Sequence, residues 1–325
     1  PLGRRILSMN IVTTSNYKPE VLVQAGHRLL STPTARMIHK LPAQMYEMKS
    51  RAGTTVRYRR IDNLPPATVP LGNSGQNPPP VVPTMMDIDV TPQLFGQYMY
   101  VNEQVVLQNE EDVIKNFSIR LGVSMRLSED RLMRDMLAAS ASSINAVGGS
   151  NGDNPTNITV SDVSAVTTAL LTADALTVLD SVEGENRYGT APVPNSFFAL
   201  AHTSLIKDLD ALGNDFTRTI RYPSQVNILK PEYGSVGQLR FLVSSQGSIA
   251  PKASRLGRDV LNIFCVGIEA IACIYANEFS SEFIYLPKEF SGGLAQNVTM
   301  GMKFFEAPAI LNDLWVSTLK VTSAV

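Results

Sequence analysis

The sequence predicts an α+β fold, on three observations. Apolar residues recur at helical spacing in some segments and alternate strictly in others, but the two kinds do not follow one another in the regular βα order of a doubly wound sheet. One helical segment is much longer than the rest. A strand rich in arginine is also separated from a strand rich in aspartate by a tract that can be neither helix nor inner strand. The 325 residues are 44% hydrophobic and 18% charged, enough to bury a substantial core in one elaborate domain or two.

Residues 1–18 show no period and read as an extended arm. "KPEVLVQAGHRLLS" reads as a short helix, with Pro19 and Glu20 in its first turn and Val21, Ala25 and Leu29 on one face. His27 and His39 have no candidate ligand or acid beside them at useful spacing, so both read as surface or packing residues. "TTVRYRRI" sets Val56 and Tyr58 against Arg57 and Arg59, a two-residue period and hence a strand. Arg51 and Arg60 complete this basic stretch. Seven prolines then fall between Pro65 and Pro83, with Gly72 and Gly75 among them, so the chain makes a long excursion. It returns as "TMMDIDV", where Asp87 and Asp89 alternate with Met86 and Ile88. Paired antiparallel, the two strands would set arginine against aspartate on one face, and the arginines would serve a hairpin rather than a phosphate.

From Asn109 to about Ile144 the pattern is one long helix of roughly 50 Å. Asn109 is its expected cap, "EED" its acidic first turn, and Val113, Phe117, Leu121, Met125, Leu132 and Met136 its core stripe. "GGSNGDNPTN" is a loop by composition. "SDVSAVTTALLTADALTVL" reads as a helix capped by Ser161. "NSFFALAH" reads as a strand ending at His202, and "TSLIKDLDALG" as a short helix capped by Thr203 and closed at Gly213. "GQLRFLVSS" and "VLNIFCVG" follow as strands, and "NVTMGMKFFEAPAILNDLWVSTLKV" as strand, turn, strand.

The inventory of chemistry is short. The 28 basic and 29 acidic residues nearly cancel, which counts against a protein devoted to coating nucleic acid. Cys265 and Cys273, the only two cysteines, read as buried small hydrophobes. The apolar run 260–276 is interrupted by Asn262 and Glu269 and reads as core rather than a membrane span, and "PLGRRILSMN" lacks the apolar centre of a signal peptide. There is no P-loop, dinucleotide fingerprint or HExxH. A GxSxG string at Gly148–Gly152 follows a helix and enters a polar loop, the wrong context for a nucleophile elbow. His202, with Asp208 and Asp210 nearby, has no nucleophile beside it. "EGE" at 183–185, "NEED" at 109–112 and "GSNGDNP" lack a metal-ligand pattern. No catalytic residue, cofactor or metal is assigned. The basic stretch 49–60 is the best nucleic-acid candidate, with Tyr58 able to stack a base, and Arg218 with Arg221 is second.

A projecting two-stranded loop before a long helix leaves strand edges that a monomer avoids exposing, and so suits a protein that interlocks with its own copies. Five stretches, "AGTTVRYRRIDNLPPAT", "FGQYMYVNEQV", "FALAHTSLIKDLDAL", "EYGSVGQLRFLVSS" and "VTMGMKFFEAPAILNDLWVSTLKV", carry a resemblance in their order and spacing. From about Val21 to Val325 the chain resembles the tailed-bacteriophage major capsid proteins of the Hong Kong 97 fold, in the subgroup typified by the N-four coliphage. Met302 departs from the more aromatic character usual at the family's Gly-x-Lys site.

The resemblance implies an N-terminal arm (1–45), an E-loop hairpin (46–100), a long spine helix with the peripheral domain (101–150), an axial domain (151–288) and closing peripheral strands (289–325). It implies a non-enzymatic protein that self-assembles through hexamers and pentamers into an icosahedral shell around double-stranded DNA. Its partners would be copies of itself and packaged DNA held non-specifically, with portal, scaffold and cement proteins left open and no membrane. Its place would be the virion, after assembly in the host bacterial cytoplasm. On this reading Arg51, Arg57, Arg59, Arg60, Asp87 and Asp89 make hairpin or inter-subunit contacts, with acids of the returning strand or of a neighbour. Rival readings are a nanocompartment shell or other phage assembly protein, a nucleic-acid-binding protein using the basic hairpin, and an enzyme with a site near His202.

Overall fold

A computed structural model describes residues 11–12, 35–49, 53–68, 80–108, 113–139, 143–146, 154–177, 196–222, 229–276, 282–287 and 296–323. The expected helix at 18–31, Arg51, the Asn109 cap, "NEED", the GxSxG string, "EGE" and the excursion's tip at 69–79 lie outside the described residues.

Two sheets, one separate hairpin and a long helix make up the described fold. The first sheet holds β1 (Ile11–Val12), β2 (Gln44–Met48), β5 (Gln93–Asn102), β13 (Ile271–Ala276), β14 (Glu282–Leu286) and β15 (Asn297–Ile310), in the order β1-β5-β15-β13-β2 with β14 also on β15. β3 (Val56–Ile61) and β4 (Met85–Val90) form the hairpin. The second sheet holds β6 (Ser143–Asn145), β7 (Phe197–His202), β8 (Thr217–Arg218), β9 (Glu232–Val236), β10 (Leu239–Ser244), β11 (Ser248–Ala250), β12 (Val260–Val266) and β16 (Val316–Thr322). The helices are α1 (Glu103–Gln108), α2 (Val113–Ala138), α3 (Val160–Thr172) and α4 (Ile206–Ala211).

The centre of the second sheet explains its sequence. β7 runs parallel to β10 and antiparallel to β12, and these strands are almost wholly buried. Strands covered on both faces need apolar side chains in both registers, hence "FFALA" and "NIFCV". Phe197, Ala199, Ala201, Phe241, Ile263 and Cys265 face a core completed by α3 and α4. Phe198, Leu200, Leu242 and Phe264 face the opposite core, closed by Met133 and Leu137 of α2.

Some expectations are corrected. α2 spans 26 residues, about 39 Å. The chain beyond it contributes β6, paired with β16, where the long-helix reading ran on to Ile144. The fully buried positions of α2 include Val113, Leu121, Met125, Met133 and Leu137; Leu132 and Met136 are only half-buried. These buried residues follow the i+4 row of the helix, which slants across the surface and carries α2 from one core to another. α3 is capped by Thr159, not Ser161, in a capping box with Asp162. A 3-10 turn at Thr203–Leu205 precedes α4 and is capped by the His202 side chain, not Thr203. Gly213, at φ +67°, follows α4 as expected for a helix-terminating glycine.

The sheets also cut across the expected domain boundaries. β13 and β14 lie within 151–288 but belong to the first sheet, and β16 lies within 289–325 but belongs to the second.

One buried ion pair fixes the edge of the second sheet. Arg240 donates from Nε to Glu232 Oε1 at 2.9 Å and from Nη2 to Oε2, with both side chains essentially inaccessible. Tyr222 Oη and the Leu229 N–H also donate to this carboxylate, at 3.1 and 3.2 Å, and the guanidinium lies 5.8 Å from the Phe198 ring centroid. Removing one partner leaves a buried charge uncompensated. Glu232→Gln is expected to cost about 3–5 kcal/mol, read as a lowered urea midpoint at unchanged slope.

Candidate assembly surface

The hairpin's alternation is resolved residue by residue. β3 and β4 pair Val56 with Val90, Arg57 with Asp89, Tyr58 with Ile88, Arg59 with Asp87, Arg60 with Met86 and Ile61 with Met85. Val56, Tyr58, Ile88 and Val90 turn inward and pack on Ile274, Ala307 and Ala309 of the first sheet. The Tyr58 ring meets Tyr46 of β2 edge-on, with centroids 5.6 Å apart. Arg57, Arg59, Asp87 and Asp89 lie on the outward face.

There they form a ladder. Arg57 grips Asp89 with two parallel bonds, Nε to Oδ1 at 2.6 Å and Nη2 to Oδ2 at 2.7 Å. Arg59 grips Asp87 the same way, at 2.8 and 3.1 Å. Arg57 Nη1 also lies 3.7 Å from Asp87, linking the rungs. The arginine hydrogen bonds hold both aspartates below the usual carboxylate range. The forked guanidinium matches a carboxylate edge to edge, which a lysine cannot reproduce. Arg60 faces the other way, its Nη1 donating to Asn312 Oδ1 at 2.9 Å and its Nε 3.4 Å from Asp62. The second basic candidate is likewise engaged: Arg218 pairs with Asp210 at 2.6 Å and lies 6.0 Å from the Tyr233 ring centroid.

Beyond the ladder the hairpin turns apolar. Ile61 and Met85 are each 56% exposed, Val82 is 82% exposed, and Leu64, Val81 and Met86 are exposed with them. β3 and β4 pair with no strand other than each other among the described residues. The result is a neutralised ladder that continues into exposed apolar residues on both strands, which pair only with each other among the described residues. An apolar recess of about 400 Å³ lies elsewhere, between α2 and the first sheet, lined by Phe95, Leu121, Met125, Leu132, Met302 and Phe304 among others.

Sequence reasoning missed a buried cluster at the root of the hairpin. The His39 N–H and Nδ1 both lie 2.8 Å from the Asp130 carboxylate, and both residues are buried. Lys40 Nζ sits 3.0 Å from Glu129 and 2.7 Å from Glu306, and Cys273 Sγ donates to the same Glu306 oxygen. Burial alone would lower the Lys40 pKa, but the Glu306 hydrogen bond and the surrounding acidic groups outweigh it and hold the amine protonated. Burial raises Glu129 and the Cys273 thiol. These residues stand far apart in sequence without a shared spacing, so no motif marks them. His39 is a packing residue, not a surface one.

By sequence, no protein-family profile and no curated protein matches the chain. Solved structures match it along nearly its whole length. The capsid of Ralstonia phage GP4 superposes with a TM-score of 0.68 at 12% identity, covering 98% of this chain and 99% of that one. The capsid asymmetric unit of cyanophage Pam1 gives 0.62 at 14% identity, covering 98% and 100%. The chain has the Hong Kong 97-type capsid fold. The holo encapsulin complex of Synechococcus elongatus shares this capsid fold at a TM-score of 0.55 and 9% identity, covering 90% and 92%.

The lowered aspartate pKa values have a consequence with a definite sign. A depressed folded-state pKa stabilises above the ordinary aspartate range, and the contribution is lost as pH falls through the folded value. Carboxyl-carbon NMR titration is expected to place the Asp87 and Asp89 midpoints below 3.8, and Arg57→Gln is expected to return Asp89 toward that value.

Proposed function

We propose that this chain is the major capsid protein of a tailed bacteriophage, assembling through hexamers and pentamers into an icosahedral shell that encloses double-stranded DNA. The carrying observation is the exposed apolar end of the hairpin strands at Ile61, Val82 and Met85, on a chain whose fold is a capsid fold. A monomer gains nothing from such a surface; a neighbour that covers it gains apolar burial at roughly 25 cal/mol per Å². On this reading residues 46–100 are an E-loop running over an adjacent subunit, residues 1–45 an arm, α2 the spine helix, the first sheet the peripheral domain and the second the axial domain. The protein is then structural rather than enzymatic. It resides in the virion after assembly in the bacterial cytoplasm, with copies of itself and packaged DNA as its partners.

The encapsulin match favours one second reading, a nanocompartment shell of the same fold. Shells of the recombinant chain that carry a protein cargo and no nucleic acid would select it. A nucleic-acid-binding role for the hairpin has less support, because Arg57 and Arg59 are each committed to an aspartate.

Negative-stain electron microscopy of the purified full chain, with and without a co-expressed scaffold, is the direct test. Closed shells, rings of five or six, or tubes are expected. A strictly monomeric chain under both conditions would overturn the proposal. Arg57→Glu with Arg59→Glu sets like charges across both rungs of the ladder and is expected to abolish closed particles while leaving the thermal melt of the body unchanged.

A further inference from the structure

Two of the three acids of helix α2, Glu129 and Asp130, turn inward, where Lys40 and His39 meet them, and the third, Asp135, is exposed. The helix's arginines remain on the outside. Arg120 and Arg131 are both exposed and stand eleven residues apart, three turns, so they project from the same side about 16 Å apart. Arg134 follows within one further turn.

This cationic side continues onto the second sheet. Arg131 donates from Nε and Nη2 to Gln246 Oε1 at 3.2 and 3.0 Å, and Arg134 Nη1 donates to the Gln246 carbonyl at 3.3 Å. From there β11 leads into a tightly bonded loop at 251–259. The Lys252 N–H donates to Asp259 Oδ1 at 2.8 Å, the Ser254 N–H to the Arg258 carbonyl at 3.2 Å, and the Arg258 N–H to Ser254 Oγ at 2.8 Å. This framework displays Lys252, Arg255 and Arg258, all exposed. Helix and loop border one open recess of about 780 Å³, lined by Arg134, His202, Ala253 and Lys320 among others. Among the described residues two acids lie here, and both are engaged: Asp135 pairs with Arg134 at 2.8 Å, and Asp259 holds the loop. The whole chain carries a net charge of −1, so the face is a local excess against a balanced total.

We propose that this face binds the sugar-phosphate backbone of duplex DNA and is the surface the shell turns toward its contents. The proposal rests on the capsid reading for the contents, and on the charge distribution alone for the face. Backbone phosphates ask for cations at spaced positions on a firm surface. Base recognition asks for stacking platforms, and no Phe, Tyr or Trp lines the recess among the described residues. The binding is therefore independent of sequence and falls steeply with salt.

The test is fluorescence anisotropy of a mixed-sequence 30-base-pair duplex titrated with the full chain over a range of salt. Arg120→Gln and Arg131→Gln form one variant set; Lys252→Gln, Arg255→Gln and Arg258→Gln form the other. Each set is expected to reduce the slope of log affinity against log salt by about 2–3, at roughly 0.9 per phosphate contact. Arg120→Lys with Arg131→Lys is expected to keep the slope, as is Arg57→Gln with Arg59→Gln in the hairpin. An unchanged slope in both Gln sets, with the thermal melt intact, overturns the proposal. So does tighter binding of polyglutamate than of duplex at equal ionic strength, which assigns the face to an acidic protein. Electron microscopy of the same samples separates the two claims. Absence of duplex affinity in the unassembled chain, from a preparation that does go on to form shells, sinks the face alone, whereas duplex affinity lost with the two sets in a chain that never forms shells supports the face and removes the capsid reading.

Discussion

The fold hangs on the contact of residues 38–40 with α2, β13 and β15. Ile38 fills the core between α2 and the second sheet, His39 takes Asp130, and Lys40 takes Glu129 and Glu306. Inside protein such charges are tolerated only when each is met, and losing one partner strands the rest. The short segment thereby fixes the angle at which α2 crosses both cores. Four residues later the chain becomes β2 on the edge of β13, and the hairpin leaves from there. The same contact turns Glu129 and Asp130 inward and leaves Arg120 and Arg131 outside.

The two sheets are tied by two crossings that bond to one another. β12 and β13 are consecutive strands in different sheets, and so are β15 and β16. Where the chain passes between sheets, the Gly267 N–H donates to the Trp315 carbonyl at 3.1 Å and the Leu311 N–H to the Ala270 carbonyl at 2.8 Å. Space there is tight: a Cβ at Gly267 would lie 2.9 Å from the Leu176 carbonyl oxygen. Such a junction resists relative rotation of the sheets, so the hairpin's root and the cationic face keep a fixed relation.

Much of this was legible in the sequence because it is local. Alternation in "VRYRRI" and "MMDIDV" determines which residues share a face, and once the strands pair, the charges must meet. The apolar runs in β7, β10 and β12 announce strands buried on both sides. The failures have physical causes. The α2 stripe follows one i+4 row and drifts around the helix, so a stripe drawn straight toward Leu132 and Met136 misses Met133 and Leu137. β6 exists through its pairing with β16, some 175 residues away, which no local pattern encodes. Thr159 with Asp162 was a visible capping signal passed over for the nearer Ser161. The buried cluster of His39, Lys40, Glu129, Asp130, Cys273 and Glu306 joins single residues brought together only by the tertiary fold.

β15 has a mechanical meaning. It runs fourteen residues and is flanked by β5 along Asn297–Glu306 on one side and by β14 and then β13 on the other. A pull along this strand loads its flanking hydrogen bonds in shear, so many must yield together; a pull across it would open them one at a time, as a zipper. A wall stretched by the pressure of its contents is best served by subunits whose longest strand lies along the direction of tension. β15 gives this chain an axis of stiffness, and on the proposed capsid function its orientation in the particle would show which way that particle is built to be stretched.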